Sequence, residues 1–163
     1  MANILVVDDE LGIRDLLSEI LNDEGHSVEL AENAAKARAA RLHARPDLVL
    51  LDIWMPDADG ISLLKEWSAN GLLTMPVVMM SGHGTIDTAV EATRIGAVDF
   101  LEKPIALQKL LATVKKCLKP DASAARQHYA VDSLLQIGLL KKFGQRIAQS
   151  AKHSPICNSE STA

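Results

Sequence analysis

The chain has 163 residues, with 21 acidic and 17 basic side chains and a formal net charge of −4. That length fits one domain plus an extension, and the acidic balance argues against a broad nucleic-acid-binding surface. Residues 120–163 hold five basic and three acidic residues, so residues 1–119 carry the acidic excess, a net −6. Cys117 and Cys157 are far apart and form no CxxC pair, so neither a disulfide nor a thiolate metal site is expected. Met1-Ala2-Asn3 runs straight into an apolar strand, and no run reaches membrane-spanning length. The expectation is a cytoplasmic chain with no membrane partner.

Short apolar runs alternate with helical patterns along the first 119 residues. Residues 3–7 predict a strand, and 11–23 a helix with Leu11, Leu17, Ile20 and Leu21 on one face, stopped by Gly25. A short strand over 27–31 precedes an alanine-rich helix over 33–43. Pro46-Asp47 opens a strand over 47–51, followed by a helix over 60–69 that ends at Asn70-Gly71. Pro76 opens the strand Val77 to Met80. A helix over 85–95 ends at Gly96. A strand over 98–102 and a helix over 107–118 complete the module. Five strand–helix units of this kind predict an α/β fold, a doubly wound parallel sheet of flavodoxin-like order 2-1-3-4-5.

In an open parallel sheet, ligands sit at the carboxyl ends of the strands. Here those ends carry Asp8 and Asp9 (strand one), Asp52 (strand three), Ser81 (strand four) and Lys103 (strand five). Three converging carboxylates repel one another unless a cation joins them. An all-oxygen set of this size suits Mg²⁺, or Mn²⁺, which keeps waters and shares phosphate oxygens. The set suits phosphoryl transfer to a carboxylate, with Asp52 as nucleophile. Lys103 would be a point charge pairing with Asp52 and then with the phosphoryl group. Ser81 would hydrogen-bond a phosphoryl oxygen. The backbone amides of Trp54 and Gly82 are further candidate donors.

The strings Val7-Asp8-Asp9-Glu10, Leu51-Asp52-Ile53-Trp54-Met55-Pro56-Asp57-Ala58-Asp59-Gly60, Met80-Ser81-Gly82-His83-Gly84 and Phe100-Leu101-Glu102-Lys103-Pro104 resemble the receiver domain of two-component response regulators. The resemblance covers residues 3–118. It implies phosphorylation of Asp52 by a sensor histidine kinase. It implies Mg²⁺ held by Asp9, Asp52 and the Trp54 carbonyl, with Asp8 acting through water. It implies that Ser81 moves toward the phosphoryl group while Phe100 turns inward, and that the face formed by the fourth helix, fifth strand and fifth helix switches. Phe100 lacks the hydroxyl of the commoner Tyr, so no switch here depends on one. A homodimer through that face and a cis peptide between Lys103 and Pro104 are also implied. The receiver would be no enzyme beyond its own phosphorylation and dephosphorylation.

Met80-Ser81-Gly82-His83-Gly84-Thr85-Ile86-Asp87-Thr88-Ala89-Val90 further resembles the nitrogen-regulation activators, which join a receiver to a sigma-54-type AAA+ ATPase and a DNA-binding domain. Residues 1–119 form the receiver-like module and 120–130 read as a linker. Residues 131–150 predict an amphipathic helix that resembles the opening of that ATPase domain, and 151–163 a polar, disordered tail. Asn158-Ser159-Glu160-Ser161-Thr162 faintly echoes the start of a phosphate loop, but no G-x-x-x-x-G-K-[ST] occurs. The sequence thus offers no ATPase of that kind and no direct nucleic-acid binding by this chain. The role implied for a full-length protein is transcription regulation.

Simpler readings stand beside these. An acidic pair after a strand favours a helix N-terminus on charge alone. Asp57 and Asp59 read as loop and capping residues, Glu10 as solvated, and Trp54 and Trp67 as packing residues. Met75, Met79 and Met80 read as core, and the five histidines show no ligand spacing. An aspartate-nucleophile phosphohydrolase is an alternative, although such enzymes use an Asp-x-Asp after strand one, where this chain has adjacent Asp8-Asp9. A phosphorylation-independent pseudo-receiver scaffold is the other alternative.

Overall fold

A computed structural model describes residues 1–83 and 85–119. The expected linker (120–130), amphipathic helix (131–150) and tail (151–163) lie outside the described residues. The elements are β1 (Asn3–Val7), α1 (Leu11–Asp23), β2 (Ser27–Ala31), α2 (Ala34–His43), β3 (Leu48–Asp52), α3 (Gly60–Ala69), β4 (Val77–Ser81), α4 (Ile86–Ile95), β5 (Asp99–Glu102) and α5 (Leu107–Cys117).

All strand pairs are parallel, in the order β2-β1-β3-β4-β5. β3 and β4 are buried along their whole length. Strands covered on both faces read as continuous apolar runs, and Leu48-Val49-Leu50-Leu51 and Val77-Val78-Met79-Met80 do so. Alternate side chains feed two cores. Leu5, Val7, Val49, Leu51, Val77 and Met79 meet α2, α3 and α4 through Ala34, Ala37, Leu63, Leu64, Trp67 and Ala92. Ile4, Val6, Leu48, Leu50, Val78 and Met80 meet α1 and α5 through Leu17, Leu21, Leu110 and Val114. Each fully buried aliphatic side chain contributes roughly 1.5–3 kcal/mol, most of it offset by lost chain entropy.

The register pairs Val7 with Leu51, Asp52 with Met80 and Ser81 with Glu102. The residues that end β1, β3, β4 and β5 therefore line up along one edge of the sheet.

Local chemistry sets the element boundaries. Asn33 and Thr85, expected inside helices, are their N-caps; they accept the N–H groups of Lys36 and Thr88. Asp59 caps α3 by accepting from Ser62. Gly25 follows α1 at φ 85°, a left-handed conformation that favours glycine. Leu11 is not on the packed face of α1. It is largely exposed, and Arg14 is buried in line with Leu17 and Leu21.

Gly60 holds the β3–α3 loop closed. Its N–H donates to the Ile53 carbonyl at 2.7 Å, and a Cβ there would sit inside the van der Waals shell of the Asp52 carbonyl oxygen. That neighbour is strand backbone and cannot swing aside. Gly60→Ala should therefore lower stability by about 1–3 kcal/mol, the usual range for overpacking. Urea unfolding checks this, and an unchanged midpoint would show that the loop can shift at no cost.

Candidate functional site

Asp8 follows β1, with its N–H on the Ala31 carbonyl of β2 at 3.1 Å. It is fully buried, and its Oδ1 accepts the Glu10 N–H at 2.9 Å. Asp52 ends β3 and is also buried, whereas Asp9 is exposed at the mouth. One carboxylate oxygen from each of Asp8, Asp9 and Asp52 lies within 4.8 Å of the others.

Lys103 follows β5, anchored by its N–H on the Ser81 carbonyl at 2.7 Å. Its Nζ lies 2.7 Å from Asp8 Oδ2 and 3.3 Å from Asp52 Oδ1. Among the described residues this ammonium is the one partner of either oxygen. The sequence led to the expectation that Lys103 pairs with Asp52, and it does, while lying closer still to Asp8. The peptide bond between Lys103 and Pro104 is cis, in line with the resemblance.

Burial, and then the negative charge of Asp8, push the Asp52 carboxyl up to about 6. The charge of Lys103 and the Trp54 backbone N–H pull the other way and do not win. For Lys103, burial opposes the ammonium, but Asp8 and Asp52 outweigh it and the pKa lies above the ordinary lysine value. The lysine is held charged while the Asp52 carboxylate is left undercompensated.

The residues fit a small hard cation. The donors are all oxygen, and the two buried oxygens, Asp8 Oδ2 and Asp52 Oδ1, share a single ammonium as their partner. The exposed Asp9 leaves one side open for waters or a further oxygen ligand. Glu10, Trp54, His83 and Pro104 help to line an open crevice of about 560 Å³ over Asp9, Asp52 and Lys103.

The remaining expected residues are less uniform. Ser81 is fully buried at the end of β4, and its Oγ accepts the His83 N–H at 3.2 Å. Here it is a turn residue as well as a strand end. Phe100 is half-buried and packs on the core shared by α2, α3 and α4. Trp67 is buried, but Trp54 is 60% exposed; its ring is on the rim, so the packing role expected for it does not hold. Met75, Met79 and Met80 are core.

Two things were missed in the sequence, the helix that Asp57 caps and the role of Arg14. Asp57, read with Asp59 as a loop and helix-capping residue, accepts the N–H groups of Ala34 and Ala35, both at 3.0 Å. It caps α2 from the loop that carries Trp54. Burial alone would raise its pKa, but the backbone donors of Ala34 and Ala35 outweigh that and hold it below the usual carboxylate range. Arg14 donates from one nitrogen, Nη1, to the carbonyls of Asp8 (2.6 Å) and Asp9 (2.9 Å). The signal for Arg14 was available, as a lone charge three and seven residues before Leu17 and Leu21 on the apolar stripe.

The parallel sheet of order 2-1-3-4-5, with acidic groups and a lysine at its carboxyl edge, is of the flavodoxin-like class. The response regulator receiver domain model matches residues 4–115, and the chain belongs to that family. The nitrogen assimilation regulatory protein NtrX of Azorhizobium caulinodans is 43% identical over 119 residues, which are 72% of this chain and 26% of that protein. The chain spans about a quarter of the length of the NtrX-type relatives it matches. The crystal structure of the receiver domain of NtrX from Brucella abortus is 48% identical, with TM-score 0.67, covering 72% of this chain and 99% of that one. The beryllofluoride-activated NtrC4 receiver domain, solved as a dimer, is 37% identical with TM-score 0.67, covering 71% of this chain and 95% of that one. No helix of the described residues is long and apolar enough to cross a membrane.

The Asp52 shift has a sign that can be measured. Its folded pKa, about 6, lies above the ordinary 3.8. The folded state holds the proton to higher pH than the unfolded chain. This group therefore disfavours folding progressively as pH rises from about 4 to about 6, and fully above that. In metal-free buffer, Asp52→Asn should raise Tm at about pH 7.5, with the gap closing toward about pH 4. Equal Tm values at the higher pH would mean that the carboxylate is compensated in a way the geometry does not account for.

Proposed function

We propose that this receiver domain accepts a phosphoryl group on Asp52 from a sensor histidine kinase. The observation that carries the reading is the buried Asp52 carboxylate, grouped with Asp8 and Asp9 and facing Lys103. Asp9, Asp52 and the Trp54 carbonyl would hold Mg²⁺, or Mn²⁺, with Asp8 acting through water. Such an ion, when bound, offsets the negative charge gathered on transferring phosphoryl oxygens. An Asp52 oxygen attacks the phosphorus, the P–N bond of the donor phosphohistidine breaks, and the imidazole leaves with the bond's electron pair. Lys103 turns from the two carboxylates toward the phosphoryl oxygens. Hydrolysis later returns the carboxylate and releases inorganic phosphate.

The kinase would dock on the rim of the crevice. Leu11, Ile86 and Leu107 are the first residues of α1, α4 and α5, and with Trp54 they are exposed apolar side chains at that edge of the sheet. An acidic centre with apolar surroundings suits a partner that brings both a phosphoryl group and apolar contact area.

Release of Ser81 Oγ from the His83 N–H toward the phosphoryl group, and inward rotation of Phe100, would bias the α4-β5-α5 face. We infer that this face then governs homodimerisation, and in a longer protein transcription regulation in the cytoplasm. The dimeric state named for the NtrC4 receiver domain supports this by similarity.

Incubation with Mg²⁺ and acetyl phosphate, followed by intact mass measurement, tests the reading. One base-labile phosphoryl adduct is expected, absent without Mg²⁺ and absent in Asp52→Ala. An adduct that persists in the folded variant would move the acceptor elsewhere.

A further inference from the structure

We infer that Arg14 is a positioning residue for the cation-binding carboxylates, gripping the β1–α1 turn from below through its backbone carbonyls. The inference rests on the proposed cation site and adds to it a residue that touches neither cation nor phosphoryl group.

The argument starts from charge. Arg14 is buried, yet among the described residues it makes no ion pair. A guanidinium withdrawn from water without a carboxylate partner is unfavourable unless its donors are well used. Its Nη1 uses them on the carbonyls of Asp8 and Asp9, two consecutive residues of the acidic group.

The three carboxylates are not secured equally. Asp8 has Glu10 N–H on one oxygen and Lys103 beside the other. Asp52 lies at the end of a central strand and faces Lys103. The Asp9 carboxylate, exposed at the mouth, makes no hydrogen bond or ion pair among the described residues. What fixes it is the course of its own backbone, and the Asp9 carbonyl is held by Arg14 at 2.9 Å. The same guanidinium places a positive charge beneath the acidic group, where it opposes the repulsion that would spread the turn. Groups that orient metal ligands commonly contribute 10–100-fold to affinity.

Mn²⁺ titration by electron paramagnetic resonance, with thermal unfolding alongside, tests this on the wild-type chain, Arg14→Lys and Arg14→Met. Both bonds come from one nitrogen, so an ammonium one bond shorter can replace them in part, while a thioether cannot. The expected affinities fall in the order Arg, Lys, Met, with the Met variant weaker by about tenfold or more. In an Asp9→Asn background the further loss from Arg14→Met should shrink to within about twofold, because Arg14 acts through Asp9. A merely structural arginine would lower Tm in each variant and leave the affinity of the folded molecules unchanged, which overturns the inference. Should Arg14→Met fail to fold, Arg14→Lys decides it: affinity equal to wild type overturns it, and affinity about threefold or more weaker supports it. Wild-type protein that binds no Mn²⁺ would instead remove the cation site itself, and this inference with it.

Discussion

Lys103 stands between two buried carboxylates, and much of the fold can be understood as holding that arrangement together. A single ammonium faces Asp8 and Asp52, with Asp9 close by, so the group keeps an excess of negative charge. The raised pKa of Asp52 reflects its burial first and that excess second. A central parallel strand, walled by two apolar cores, keeps its end residue from relaxing into solvent. The site is therefore kept under electrostatic tension by packing, and a cation or a rearranged lysine relieves it.

The loops that carry the site are fastened from outside it. The β1–α1 turn is held by Arg14 below and by the Glu10 N–H on Asp8. The β3–α3 loop is closed by the Gly60 N–H on Ile53, capped by Asp59, and tied to α2 by Asp57. The Ser81 hydroxyl, by contrast, is committed only to a local turn through a 3.2 Å bond. Phe100 is only half-buried. The Ser81 hydroxyl and the Phe100 ring, both proposed to move, are thus fastened less firmly than the loops that carry the carboxylates, as a switch requires.

Much of this was legible in the sequence, for identifiable reasons. Strands buried on both faces leave uninterrupted apolar runs, and each run that ended in Asp, Ser or Lys marked one edge of the sheet. Strand order followed from the alternation of strands and helices. The three carboxylates, Ser81 and Lys103 could be grouped before any coordinates, because a parallel sheet brings all strand ends together. Less legible was anything set by side-chain direction. The nearer partner of Lys103 is Asp8, and a linear motif does not carry which of two strand-end carboxylates a side chain approaches. Asp57 reaches an amide 23 residues away, and no local spacing announces that. Trp54 and Leu11 looked like packing residues by type, but they sit where a loop and a helix begin at the open edge. Arg14 was readable and passed over, since a charge on an apolar stripe asks for a buried partner.

The central claim is that the acidic group is destabilising alone and is completed by a divalent cation. Thermal unfolding at about pH 7.5 in stepwise Mg²⁺ addresses it most directly, since a ligand bound only by the folded state raises Tm with its concentration. The account predicts a rising Tm for the wild-type chain and a clearly smaller rise for Asp9→Asn, which keeps Asp8 and Asp52. A wild-type Tm that stays flat up to about 20 mM Mg²⁺ would contradict it.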